Sequence, residues 1–294
     1  MLAKSKFFNQ LFPVALAVVV CAALILIYLL EIRVLNLFPG ERILTEIHWQ
    51  DVLVGLTIYL KTSVDFALLI GLLMKQYKGT KNRVAIEIGT AVGNALGTMI
   101  ILVIWYLFKE IVWLLALMIF IAALVLLKLA QTSIEHIFEA EENHDDGVEV
   151  SPQIKKVATI INNILNPINN FIAPVLSRIM PNLSFKGDKN LSFWGLAMAS
   201  FTVPFILGLD DFAGYVPLFN VVNVFGFGIG VFSGHMILNI FLFINPDVTI
   251  KVVKNPIIAI LGSVVFVGLS LWGMWEVIHL LDHTYHWGIF AAGK

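Results

Sequence analysis

The chain has 294 residues, 59% of them hydrophobic and 13% charged, with a mean hydropathy of +0.89. A soluble domain carries about 25% charged residues, so this is the composition of an integral membrane protein. The 19 Lys and Arg nearly cancel the 20 Asp and Glu, which leaves no basic balance for nucleic acid, and Cys21 as the sole cysteine excludes a CxxC relay or a cysteine-ligated cluster.

A bilayer core about 30 Å thick takes roughly 20 apolar residues of helix. Apolar stretches of that length, bounded by charge, run at about 11–30, 51–74, 84–108, 110–130, 193–218, 222–245 and 255–281, giving seven predicted spans. The first follows Lys4 and Lys6 as a signal peptide would, but its apolar run is too long and no A-x-A site follows it. Val20 before Cys21 speaks against a lipoprotein site, so the segment reads as an uncleaved helix. Thirteen Lys and Arg fall in the N-terminus and the stretches 75–83, 131–190 and 246–254, against Arg33, Arg42, Lys109 and Lys294 on the other side. For a chain read as lying in a bacterial inner membrane, the positive-inside rule then predicts a cytoplasmic N-terminus and an external C-terminus.

The segment 131–190 is too polar to cross. Residues 135–149 hold Glu135, Glu139, Glu141, Glu142, Asp145, Asp146 and Glu149 with His136 and His144, and read as a solvated acidic linker, with a cation antenna as the alternative. From 154 to 180, Val157, Ile160, Ile161, Ile164, Ile168, Phe171, Ile172, Val175, Leu176 and Ile179 recur at three- and four-residue intervals opposite Lys155, Lys156, Asn162, Asn163, Asn166, Asn170 and Arg178. That pattern predicts an amphipathic helix on the inner leaflet, kinked at Pro167 and Pro174 and ended by Pro181.

Ionisable groups inside spans need a partner, a cavity or a function. Span two carries Lys61 and Asp65; span five carries Asp210 and Asp211. Asp65-Phe66-Ala67 recurs as Asp211-Phe212-Ala213. In the spans that follow, Gly89, Gly93 and Asn94 superpose on Gly230, Gly234 and His235. Small residues four apart allow close helix packing, and the polar residue after each pair is expected beside the neighbouring helix, within reach of an aspartate there. Spans two to four and five to seven thus read as two inverted three-helix repeats behind one N-terminal helix. Both aspartate segments contain helix breakers, Thr62 and Ser63 in the first and Pro204, Gly208, Gly214 and Pro217 in the second. The chain divides into an N-terminal helix and external loop (1–50), a first repeat (51–130), the acidic linker with the interfacial helix (131–192) and a second repeat (193–294).

At Thr62-Ser63-Val64-Asp65-Phe66, Gly208-Leu209-Asp210-Asp211 and Tyr215-Val216-Pro217-Leu218-Phe219 the chain resembles the cadmium-resistance transporters of the lysine exporter superfamily, over roughly residues 52–130 and 193–281. It departs from their motifs at Phe66, where a second acid is expected, at Asp211 in place of asparagine, and at Lys61, one turn from Asp65 on the same helix face. The resemblance implies an ion exporter, with a metal such as cadmium as cargo.

The function expected is a secondary transporter, not an enzyme, that exports a cation, with a divalent metal favoured, in exchange for protons. Asp65, Asp210, Asp211, Asn94 and His235 are the expected cation and proton sites, with Asp65, Asp211 and His235 as metal ligands and Lys61, Thr62 and Ser63 in support. Adjacent acids cannot both ionise easily in a low-dielectric site, which makes one a proton carrier. His235 suits either ligation or helix packing. Glu87, one turn into span three, reads as a carboxylate favoured by the helix dipole. Glu276, His279, His283 and His286 share a face at the outer end of span seven, as a release site or an interfacial belt. The expected partners are lipid, the transported cation and, if it self-associates, a second copy; no permanent cofactor and no P-loop is read. An exporter of a small organic solute, with Lys61 pairing to its carboxylate, is the alternative within transport, and a membrane-embedded enzyme or assembly factor is the alternative outside it.

Overall fold

The structure, a computed structural model, describes residues 2–142, 151–179, 191–219, 222–253 and 255–286; within these the side chains of some positions, Asp65, Asp210 and Asp211 among them, lie outside the description. The described secondary structure is helical: α1 (Leu2–Leu35), α2 (Trp49–Thr62), α3 (Val64–Gln76), α4 (Thr80–Phe108), α5 (Val112–Glu142), α6 (Pro152–Ile179), α7 (Phe193–Leu218), α8 (Val224–Ile244), α9 (Pro246–Val253) and α10 (Pro256–Tyr285). Among the described residues five helices are long and apolar enough to cross a membrane, and six if the bent pair α2 and α3 counts as one span. Apolar side chains such as Val18, Val19 and Leu26 on α1 and Leu261, Val264 and Leu271 on α10 face outward, as lipid-facing residues do.

The helices form two compact units. One gathers α1 to α3, α4 as far as Ile100, α7 as far as Leu209, α8 and α9. Its centre is α8, whose residues are buried nearly all round. Glycines set how closely its neighbours approach. A Cβ at Gly55 of α2 would run into the Phe227 carbonyl of α8, and one at Gly230 of α8 would run into the Val52 carbonyl of α2. Gly228 makes the notch for the Tyr28 ring of α1, whose hydroxyl donates to the Val224 carbonyl at 3.3 Å. Outside the apolar spans, Lys75 at the end of α3 pairs with Asp247 of α9 at 2.7 Å, and the hydrogen bond from that ammonium holds the Asp247 carboxyl below its usual range.

The second unit holds the end of α4, α5, α6, the end of α7 and α10. Here α5 and α10 lie side by side, tied by Ser270 Oγ donating to the Ala123 carbonyl at 2.7 Å. The Trp105 ring of α4 packs edge-on against Phe219, just after α7, at 5.5 Å.

The structure differs from the sequence reading in three places. First, α5 does not stop near 130 but runs on to Glu142, so the first half of the expected acidic linker is helix. Ile134, Ile137 and Phe138 continue the apolar periodicity there, pack with Ala158 and Ile161 of α6, and keep the helix going; Lys128 also reaches Glu135 at 3.9 Å. The stretch 143–150, with His144, Asp145, Asp146 and Glu149, lies outside the described residues, as does Pro181. Second, the apolar face of α6 divides instead of facing one way: Ala158 and Leu165 are buried, while Val157, Ile160 and Ile164 stay exposed. Third, α7 is helical throughout, although Pro204 and Gly208 were expected to interrupt it. The Pro204 ring lies in the space left by the missing side chain of Gly93, so packing accommodates the proline within the helix.

Close α2–α8 packing leads to a stability prediction. Gly55→Val and Gly230→Val should each lower stability by at least about 1–3 kcal/mol, since added bulk must push backbone apart. Gly268→Ala in α10, where a Cβ meets nothing within 4 Å, should be neutral or stabilising by up to ~1 kcal/mol. Thermal unfolding in detergent micelles measures the difference, and equal effects at the three positions would contradict the packing.

Candidate functional site

The break in span two falls at Ser63, where α2 gives way to α3 with a bend of 64°. Ending a helix inside an apolar span strands carbonyls, and hydroxyl side chains close by satisfy them. Ser63 Oγ donates to the Tyr59 carbonyl at 2.6 Å, and Thr62 Oγ1 lies 3.2 Å from both the Ile58 and Tyr59 carbonyls. The Ser63 amide donates to the same Tyr59 carbonyl at 3.0 Å. The two hydroxyls thus add donors in the last turn of α2, where the Tyr59 carbonyl also keeps its regular bond from the Ser63 amide. Lys61 is half-buried just before the break, and Asp65 lies in the first turn of α3 just after it.

The residue facing this break is His235 of α8. It is fully buried, its ring lies 5.1 Å from Phe66 and 5.5 Å from Tyr59, and Nδ1 is 2.5 Å from the Tyr59 hydroxyl. The amide nitrogen of Asn239, one turn further along α8, donates to Nε2 at 3.0 Å and to Thr90 Oγ1 of α4 at 3.1 Å. An amide nitrogen only donates, so Nε2 is the acceptor and the ring proton sits at Nδ1, given to Tyr59. The imidazole is thus neutral with both nitrogens engaged, and a metal could bind it only by displacing Tyr59 or Asn239.

The result is a buried polar chain, Tyr59, His235, Asn239 and Thr90, linking α2, α8 and α4. Asn94 lies one turn beyond Thr90, and its amide nitrogen is buried without a partner among the described residues. Thr98 follows, donating to the Asn94 carbonyl at 2.9 Å. On the other side of Thr90 is Glu87. Because α4 begins at Thr80, Glu87 lies about two turns in, not in the first turn, and it is fully buried; the helix-terminus reading of this residue is corrected. Glu87, Thr90, Asn94 and Thr98 form one polar stripe at three- and four-residue steps.

The glycine pairs position these groups. Gly230 meets the Val52 carbonyl and Gly234 meets Tyr59 and the Leu56 carbonyl of α2; Gly89 meets the Ala197 carbonyl and Gly93 the Phe201 carbonyl of α7. Each glycine pair and each partner pair is four residues apart, and each pair packs on a helix from the other half of the chain. His235 accordingly stands against the first aspartate segment. Asn94 follows the glycine that packs on α7, whose later turns carry Asp210 and Asp211. The carboxylates of Asp65, Asp210 and Asp211 lie outside the described residues. Glu276 is half-buried and His279, His283 and His286 are exposed at the end of α10.

Sequence reasoning missed Tyr59, Thr90 and the bridging part of Asn239, although signals existed. A tyrosine in mid-span needs a partner for its hydroxyl, and Asn239 sits one turn from His235. Among the described residues no three His, Cys, Asp or Glu side chains gather as a metal shell. Compared with known proteins, the chain matches no protein-family model, no curated protein and no solved structure.

Removing one end of the chain should leave the other unsatisfied. Tyr59→Phe strands the His235 Nδ1 proton and should cost about 1–3 kcal/mol. A double-mutant cycle with His235→Leu, read by thermal unfolding in detergent, should return a coupling above about 0.5 kcal/mol. Additive effects would mean that the two rings are only neighbours.

Proposed function

We propose that the protein is a secondary transporter of a bacterial inner membrane that exports a cation, with a divalent metal favoured, in exchange for protons. The observation that carries this reading is the broken span at Ser63, flanked by Lys61 and Asp65 and faced by a buried polar chain from two other helices. Interrupted helices at membrane depth are tolerated where they are enclosed by protein or line a water-filled cavity, and transporters use them to bind substrate. In the full scheme α1 precedes two inverted three-helix repeats, α2/α3 with α4 and α5, then α7 with α8 and α10, making seven crossings. Support for the repeats comes from the exchanged glycine contacts, Gly89 and Gly93 on α7 matching Gly230 and Gly234 on α2. Asp65 and Asp211 are the paired cation and proton sites, Asp210 and Asn94 supply further ligands, and His235 positions Tyr59 and Asn239. The likeness of the Gly208–Asp211 and Tyr215–Phe219 segments to cadmium-resistance transporters supports a metal as cargo. The half-buried Lys61 beside the break favours the second reading, export of a small organic solute bearing a carboxylate.

Two experiments test this reading. In proteoliposomes, an imposed proton gradient should drive the cation the opposite way, and Asp65→Asn or Asp211→Asn should reduce flux at least about tenfold, the effect of a lost 1.4 kcal/mol or more. Flux indifferent to both variants and to protonophore would remove the exchange mechanism, and a response to organic acids but to no metal salt would favour the second reading.

Orientation is tested separately. Reporter fusions after residues 145 and 294 should respond on opposite sides, the first in the cytoplasm, in keeping with thirteen positive charges against four. The same compartment for both would exclude an odd number of crossings.

A further inference from the structure

The polar stripe on α4 contains a carboxylate for which the proposed exchange at the aspartates has no use. Glu87 is fully buried, and among the described residues neither Oε1 nor Oε2 has a hydrogen-bond partner. Asn239 gives both amide protons to His235 and Thr90, and its Oδ1 is buried and unpartnered too. Thr90, three residues on from Glu87 on α4, accepts from Asn239 at 3.1 Å and gives its own proton to the backbone carbonyl of Glu87 at 3.0 Å, not to its carboxylate.

The unsatisfied atoms on Glu87 and Asn239 are therefore all oxygens with free lone pairs, carrying one formal negative charge. A bare carboxylate at this depth is strongly unfavourable and is neutralised. No described charged group pairs with it, although the Nε of Arg83 is likewise buried without a hydrogen-bond partner. Arg83, one turn earlier on α4, is directed to the Phe243 carbonyl of α8 and lies over that ring at 5.9 Å. From α8 comes His235, uncharged because Nε2 accepts from Asn239. From α2 comes Tyr59, bonded to His235. The α7 residues packed on α4, Ala197, Phe201 and Pro204, carry no charge. Among the described residues Glu87 forms no ion pair.

We infer that Glu87, with Thr90 Oγ1 and Asn239 Oδ1, forms a second buried site that binds one monovalent cation, a proton or a sodium ion, on α4 and α8 rather than on the aspartate-bearing α3 and α7. One carboxylate balances one positive charge, whereas a divalent ion would leave the site positive in hydrocarbon. Oxygen donors alone suit a hard cation and not a thiophilic metal. The inference rests on burial and unpaired oxygens, not on which ion or solute is exported, so it survives a failure of the metal-export reading.

The test treats membranes containing the full chain with dicyclohexylcarbodiimide, which modifies protonated carboxyl groups in apolar surroundings, and locates the adduct by mass spectrometry. Modification of Glu87 should fall about tenfold per pH unit once the carboxyl begins to deprotonate. If sodium is the ligand, modification should also fall at fixed pH as sodium chloride replaces choline chloride; if the ligand is only a proton, the two salts should be equivalent. A second readout uses purified protein in detergent. Acid or sodium should raise the melting temperature of the wild type, while Glu87→Gln, which imitates the neutralised group, should melt at the higher temperature without either. Glu87 that is modified at a rate independent of pH and sodium, or never modified in a protein whose melting is also unchanged by Glu87→Gln, would overturn the site.

Discussion

The approach of α2 to α8 is the constraint on which the described site depends. At Gly55 and Gly230 each helix presents a carbonyl where the other has no side chain, and a methyl group at either place would hold the backbones apart. Hydrocarbon supplies no hydrophobic drive to press helices together, so close backbone contact and the polar pairs it permits must do so. The contact brings the Tyr59 hydroxyl within 2.5 Å of His235. A looser pairing would leave the Nδ1 proton of the imidazole without its acceptor in a low-dielectric interior, so glycine spacing and polar satisfaction are two aspects of one requirement.

Asn239 has a similar organising role on the other side of α8. Its amide nitrogen can only donate, and by giving one proton to His235 and one to Thr90 it fixes the tautomer of the ring and ties α8 to α4. The chain from Tyr59 to Thr90 is satisfied along its length, and the unsatisfied atoms occur at its edge, on Glu87, Asn94 and the far oxygen of Asn239. Satisfied polar groups in a core favour rigidity; unsatisfied ones at the margin mark where something else can bind.

Much of this was legible in the sequence, for identifiable reasons. Long apolar runs between charges reveal helices because a membrane imposes one length and one composition on them. Thr62 and Ser63 were readable as the place of the break because hydroxyls can bond carbonyls in the turn before them. The glycine pairs were readable as packing faces, but not their partners: spacing within a helix says which residues share a face and nothing about the helix opposite. Hence the exchange between halves, and with it the meeting of Tyr59 and His235, could not be seen. Glu87 was misread because the start of α4 lies before the first apolar residue, where Thr80 to Arg83 are polar yet helical. The continuation of α5 to Glu142 was missed for a related reason, since a high density of acids masked Ile134, Ile137 and Phe138 beneath them.

The bend at Ser63 carries a mechanical implication. The Tyr59 carbonyl has three donors within reach: the Ser63 amide, the Ser63 hydroxyl and the Thr62 hydroxyl. With such redundancy, losing one of the three donors does not leave that oxygen bare in hydrocarbon, so the bend does not hang on any single bond. The side chain of the same Tyr59 is tethered to His235 in the rigid centre of α8. One residue thus joins the backbone of the bend to the buried polar chain, while Lys75 and Asp247 tie the far end of α3 to α9.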